Sequence, residues 1–187
     1  KVTREVIAAA PKLKIVVRAG AGYDNLDLAA CTERGIVAMN TPGQNSNAVA
    51  ELAIGFMIYI SRNQFTPGTG SELKGKTLGI QAYGNVGRLV AAHAKSFGMK
   101  IMAFDPFVPA DRIQADGVEV AASLEDLYAK SDFVSLHIPA TNETKNSIGY
   151  ALLSKMPKGG CLVNTARKEV INEPELVKVL EERQDLK

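Results

Sequence analysis

Eight residues, Gln81-Ala82-Tyr83-Gly84-Asn85-Val86-Gly87-Arg88, follow the apolar run Thr77-Leu78-Gly79-Ile80 and open a helical period. A glycine loop in that place suits a diphosphate. The middle glycine, Gly84, lets backbone approach the phosphates, and the last, Gly87, lets the helix pack closely on the strand. The helix N-terminus adds free amides and the positive end of its dipole. The dinucleotide-binding pattern G-x-G-x-x-G has Ala82 in place of its first glycine. A methyl group is tolerated there if φ stays negative. Asp105 lies 21 residues after Gly84, at the end of the next apolar run, where a carboxylate would accept ribose hydroxyls. The loop alone is equally a plain strand-turn-helix with packing glycines; Asp105 at that spacing favours a dinucleotide. A carboxylate also repels a 2′-phosphate, and the next residues, Pro106 and Phe107, supply no cation. NAD is therefore expected over NADP.

Arg167 follows a second apolar run, Gly160 to Asn164. A guanidinium at a strand end can hold a carboxylate or carbonyl by two parallel hydrogen bonds. On chemistry alone it is as readily a surface cation before a helix. Gly20-Ala21-Gly22, a tight turn of small residues after a strand, is suited to offering backbone amides to an anion. Of the two histidines, His93 falls inside the helix after the glycine loop and reads as structural. His137 ends a strand near the crevice and suits hydrogen bonding there.

These groups need a scaffold of alternating strands and helices. Helices are expected over Val2–Ala10, Leu26–Arg34, a crossing segment 48–62, Asn85–Phe97, from Ser123, at Leu152–Met156, and from Glu173-Pro174 onward. Ser46 or Asn47 could cap the crossing helix. Strands are expected at Leu13–Val17, Ile36–Met39, Thr77–Ala82, Lys100–Phe104, Val118–Ala121, Phe133–Ile138 and Gly160–Asn164. The strands are solid apolar runs, as in parallel sheets covered on both faces. That pattern gives an α/β class with βαβ units. The Gly/Pro-rich stretch Thr66–Ser71 is the best linker.

Composition excludes several classes. Net charge is 22 − 20 = +2 with no basic block, so neither nucleic acid nor an anionic membrane is an expected partner. The apolar run Ala48–Ile60 is 13 residues long and contains Glu51; a membrane span needs about 20. Cys31 and Cys161 are distant, sit in apolar strings and have no metal-ligand spacing, which suits a reducing, cytoplasmic setting and no metal. The start at Lys1 and the stop soon after a helix suggest a piece of a longer chain.

Four strings together resemble the D-isomer-specific 2-hydroxyacid dehydrogenases: Val17–Leu52, Glu72–Ala91, Ala103–Pro106 and Cys161–Leu176. The resemblance is strongest to the branch acting on a phosphorylated three-carbon acid, and it covers nearly the whole chain. It implies a Rossmann-like, doubly wound parallel sheet as the NAD-binding domain, over 44–187 with the crossing helix 48–62 and incomplete at its C-terminal end. It also implies part of a second, flavodoxin-like substrate domain over 1–43, and a homodimer through the crossing-helix region. Gly20, Ala21 and Gly22 would hold the substrate carboxylate, with Ala21 also near the cofactor and Arg18 on the substrate phosphate. Members often carry Thr or Val where Ala21 stands. Asn85 and Val86 would give amides to the diphosphate, flanked by Gly84 and Gly87. Asp105 would bind the ribose, and Ile138 would line the adenine-ribose side. Thr165, Ala166 and Arg167 would flank the nicotinamide, with Arg167 catalytic. Lys168-Glu169 departs from the family's glycine after that arginine. The implied reaction is hydride transfer between C2 of a 2-hydroxy acid and nicotinamide. The family's acid-base Glu and His find no match here, so this chain alone is expected to bind NAD weakly and not to turn over. Relatives acting on hydroxypyruvate, glyoxylate or D-lactate, and non-catalytic NAD-sensing corepressors, remain open alternatives.

Overall fold

The computed structural model describes residues 1–187, which divide into two compact units, Lys1–Asn47 and Ala48–Lys187. In the first, α1 (Arg4–Ala8) is shorter than the apolar period suggests. Val2 leaves the helix to form a parallel bridge with Leu26. Strands β1 (Ile15–Arg18) and β2 (Val37–Asn40) pair in parallel, Ile15 with Val37 through Arg18 with Asn40. Between them runs α2 (Leu28–Glu33), whose N-terminus is capped by the Asp27 carboxylate accepting from the Ala30 amide. Ile7, Ala30, Cys31 and Ile36 form this unit's small core. Ile15, Val17, Val37 and Met39 are exposed.

Helix α3 (Ser46–Ser61) carries the chain into the second unit. Ala50, Ala53, Ile54 and Met57 recur at helical spacing and are buried. Leu52, Phe56 and Tyr59 form a second apolar stripe that stays exposed. The helix stops at Asn63–Phe65, three consecutive residues with φ between 52° and 58°. The Phe65 ring meets Tyr59 edge-on at 5.4 Å.

The second unit then alternates: β3 (Thr77–Gln81), α4 (Asn85–Ser96), β4 (Lys100–Phe104), α5 (Ala110–Ala115), β5 (Glu119–Val120), α6 (Leu124–Lys130), β6 (Phe133–Leu136), α7 (Tyr150–Leu153), β7 (Cys161–Asn164) and α8 (Glu173–Glu182). All pairings are parallel, in the order β5-β4-β3-β6-β7. This is the doubly wound, Rossmann-like arrangement, with its switch point between β3 and β6. Side-chain alternation divides the interior into two cores. Ile101 and Ala103 of β4, with Cys161 and Val163 of β7, join α3, α4 and α5. Met102, Val134 and Leu136 join α6, α7 and α8.

Caps set the helix starts. The Ser123 hydroxyl accepts from the Asp126 amide, and the Asn172 side chain accepts from Glu175. Pro174 sits one position inside α8, where its missing N–H costs nothing. Helix α5 has no counterpart in the expected pattern; Pro109 is its N-cap, with φ −55° and an extended ψ of 139°. At the far edge, the Lys187 amide donates to Gly160 at 3.0 Å and its carbonyl accepts from Leu162 at 2.8 Å. The last residue thus pairs along the outer side of β7. No helix is long and apolar enough to cross a membrane.

Candidate functional site

The loop after β3 does what its glycines suggest, by a route the residue types hid. Ala82 has φ +75°, so the expectation of a negative φ is wrong. Two bonds impose the turn. The Ala82 amide continues the sheet ladder to the Phe104 carbonyl at 3.0 Å, and the Tyr83 amide donates to Asp105 Oδ2 at 2.7 Å. An L-residue there costs about 1–2 kcal/mol, and the flanking ladder and carboxylate offset it.

Gly84 is the N-cap of α4, and no side chain caps that end. The first-turn amides of Asn85, Val86 and Gly87 have no partners within the helix. A Cβ on Gly84 would meet nothing within 4 Å, so space lies open where a diphosphate would pass. A Cβ on Gly87 would lie 2.3 Å from the Ala82 carbonyl oxygen and 3.1 Å from Ile80 Cγ2. Gly87 is therefore the close helix-strand contact. These features fit a bound NAD.

Asp105 lies at the carboxyl end of β4 and joins two loops. Oδ2 accepts from Tyr83 and Oδ1 accepts from the Phe107 amide at 2.8 Å. Each oxygen keeps a further lone pair for a ribose hydroxyl. Phe107 beside it is 93% exposed. A cleft of about 260 Å³ borders this loop, lined by Tyr83, Gly84, Asn85, Arg88, Arg112 and Asp116 among others. The sequence offered no cation adjacent to Asp105; folding brings Arg88 and Arg112 to the cleft from α4 and α5. Asp116 faces Arg88, its Oδ2 accepting from Nε at 3.2 Å.

At the end of β6, the His137 amide donates to the Gln81 carbonyl, tying it to β3. Its Nε2 lies 2.9 Å from the hydroxyl of the buried Ser135. Burial pushes the imidazole pKa down to about 4, so the ring is neutral. Ile138 is buried in the core on the α6 side.

Beyond β7, Asn164 shapes the arginine loop. Its Oδ1 accepts from the Ala166 amide and its Nδ2 donates to the Arg167 carbonyl, both at 2.9 Å. Arg167 is half-buried and extended, and its Nη1 donates to the Ala166 carbonyl at 3.1 Å. Lys168 and Glu169 start a short 3-10 turn without positive φ, so a glycine after the arginine is not required. The buried Thr165 hydroxyl oxygen has no hydrogen-bond partner.

In the first unit, the small-residue turn has fewer donors than its composition suggests. The Gly20 amide already donates to the Thr41 hydroxyl at 2.8 Å, and to the Arg18 carbonyl. The expectation that all three amides are available is corrected to those of Ala21 and Gly22. Arg18 folds back over the turn, its Nη1 donating to the Ala19 carbonyl.

The NAD-binding domain of the D-isomer-specific 2-hydroxyacid dehydrogenases matches residues 48–185. The D-3-phosphoglycerate dehydrogenase of Methanocaldococcus jannaschii is 40% identical over 97% of this chain and 37% of its own length. The hydroxypyruvate reductase of Thermotoga maritima is 41% identical over 94% of this chain and 60% of its own. The crystal structure of NAD+-bound 3-phosphoglycerate dehydrogenase from Entamoeba histolytica superposes with a TM-score of 0.90 at 49% identity, covering 100% of this chain and 59% of that one. The chain thus spans between about a third and three-fifths of the length of these relatives.

Proposed function

Because this chain belongs to the D-isomer-specific 2-hydroxyacid dehydrogenases, we propose that the complete protein oxidises D-3-phosphoglycerate to 3-phosphohydroxypyruvate with NAD, the entry to L-serine biosynthesis. NAD, when bound, accepts the hydride from C2. The observation that carries the reading is the cradle at β3: an uncapped α4 N-terminus, an open side at Gly84 and a carboxylate at Asp105. The amides of Asn85 and Val86 bind the diphosphate and Asp105 the adenosine ribose, with Ile138 behind the adenine side. Thr165 and Ala166 flank the nicotinamide, and the unpartnered Thr165 hydroxyl marks polar capacity in that loop. Arg167 holds the substrate carboxylate with its planar fork. Within the first unit, the Ala21 and Gly22 amides suit a carboxylate and Arg18 suits a phosphate. His137, bonded to Ser135 and tied to Gln81, suits a hydrogen-bonding role at the end of β6.

The choice of substrate rests on the likeness to the Entamoeba and Methanocaldococcus proteins. The Thermotoga likeness supports hydroxypyruvate as the second reading. NADH formation by the complete protein is expected to be at least about tenfold more efficient with D-3-phosphoglycerate than with D-glycerate or D-lactate. A reversed order selects the second reading, and NAD binding with no turnover on any 2-hydroxy acid selects a non-catalytic NAD sensor.

We further propose a homodimer that covers the exposed stripe Leu52, Phe56 and Tyr59 on α3, because apolar patches of this kind mark interaction sites. Phe56→Asp is expected to shift the complete protein to monomer mass in sedimentation; an unchanged mass places the interface elsewhere. The buried free cysteines support a reducing, cytoplasmic location.

A further inference from the structure

Tyr83 is the only large side chain in the cofactor loop, and it is 2% exposed. It is held at both ends. Its amide donates to Asp105 Oδ2 at 2.7 Å, and its hydroxyl donates to Asp116 Oδ2 at 3.1 Å, 33 residues away. Asp116 is itself fixed. Its amide donates to the Ile113 carbonyl at the end of α5, its own carbonyl accepts from Lys95 Nζ on α4, and its carboxylate accepts from Arg88 Nε. One carboxylate therefore ties α4, α5 and the loop together. Burial first, then Asp116, pushes the Tyr83 hydroxyl up to about 12, so it stays a donor.

The strut acts on a strained element. Ala82, directly before Tyr83, holds φ +75°, and such conformations persist only where the surroundings enforce them. The bond from the Tyr83 amide is also what orients Oδ2 of Asp105. We propose that Tyr83, anchored on Asp116, is a positioning residue that aims the Asp105 carboxylate at the ribose of the cofactor. This rests on the reading of Asp105 as the ribose ligand.

Two ligands separate the roles: ADP, and 2′-deoxy-ADP, which lacks the hydroxyl that a positioned carboxylate accepts. Calorimetric titration of the complete protein, freed of NAD, reads the ratio of the two dissociation constants. A hydrogen bond to a charged acceptor corresponds to a wild-type preference for ADP of about tenfold or more. Tyr83→Phe keeps the ring in its core position and is expected to bring the preference below about threefold, with 2′-deoxy-ADP affinity changed less than about twofold. Asp116→Ala, which also releases Arg88, gives the same ratio, and the double variant loses nothing further in that ratio, because both remove the Tyr83–Asp116 bond. A merely structural role weakens both ligands alike and leaves the ratio intact. A wild-type ratio in Tyr83→Phe overturns the proposal, as does one in Asp116→Ala. If the wild-type protein itself shows no preference, the ribose reading of Asp105 falls first and takes the proposal with it.

Discussion

Arg167→Ala in the complete protein is expected to lower kcat/KM for its 2-hydroxy acid by about 10²–10³-fold, with the Kd for NAD changed by less than about threefold. Removing one partner of a desolvated, hydrogen-bonded charge pair costs about 2–5 kcal/mol, and each 1.36 kcal/mol is a factor of ten in rate. The loop favours the upper part of that range. Asn164 brackets it, accepting from Ala166 and donating to the Arg167 carbonyl, so the arginine backbone is fixed before substrate arrives. Arg167→Lys keeps the charge but loses the planar fork, and is expected to recover less than about a tenth of the activity. NAD affinity is expected to be spared because the residues proposed for the diphosphate and ribose lie at the ends of β3 and β4. Steady-state kinetics and an NAD titration read both quantities. A kcat/KM within threefold of wild type would remove Arg167 from the site.

Gly87→Ala is expected to damage stability and cofactor binding together. The added methyl would sit 2.3 Å from the Ala82 carbonyl oxygen, which is backbone and cannot swing away. Overpacking of this kind costs about 3 kcal/mol, and replacing a helical glycine returns about 1. The net loss of about 2 kcal/mol lowers Tm by about 4–8 °C for a chain of this size. Moving α4 off β3 also displaces its first-turn amides, and NAD affinity is expected to fall at least about tenfold. Gly84→Ala is the contrast. Its methyl meets no protein atom, so Tm should hold while NAD binding weakens. Thermal denaturation and NAD titration of both variants test the pair; a Gly87→Ala protein with wild-type Tm and affinity would refute the close-packing role.

The sheet was legible because its physics is local. Solid apolar runs marked β3, β4, β6 and β7 within a residue or two, and the cap at Ser123 needed only a hydroxyl three residues ahead of an amide. The position of Asp105 at the carboxyl end of β4 was legible too, because it follows directly on an apolar run. The details that make the site particular were not. Ala82 adopts a glycine-like φ because a ladder bond and a carboxylate impose it, and neither shows in the residue type. The Gly20 amide is taken by Thr41, 21 residues on, which a turn of small residues does not reveal. Tyr83 and Asp116 meet only after β4 and α5 have formed, and α5 itself is six residues with no strong apolar period. The signal available was a large aromatic residue between the small residues Ala82 and Gly84.

The β5 rim of the sheet carries a consequence for how this protein behaves at high concentration. An open strand edge is a template for another chain, and long, bare edges invite aggregation. Here β5 is two residues long and begins with the charged, exposed Glu119. A stray strand finds that rim too short and too charged to extend, so this margin of the sheet is a poor seed for cross-β growth.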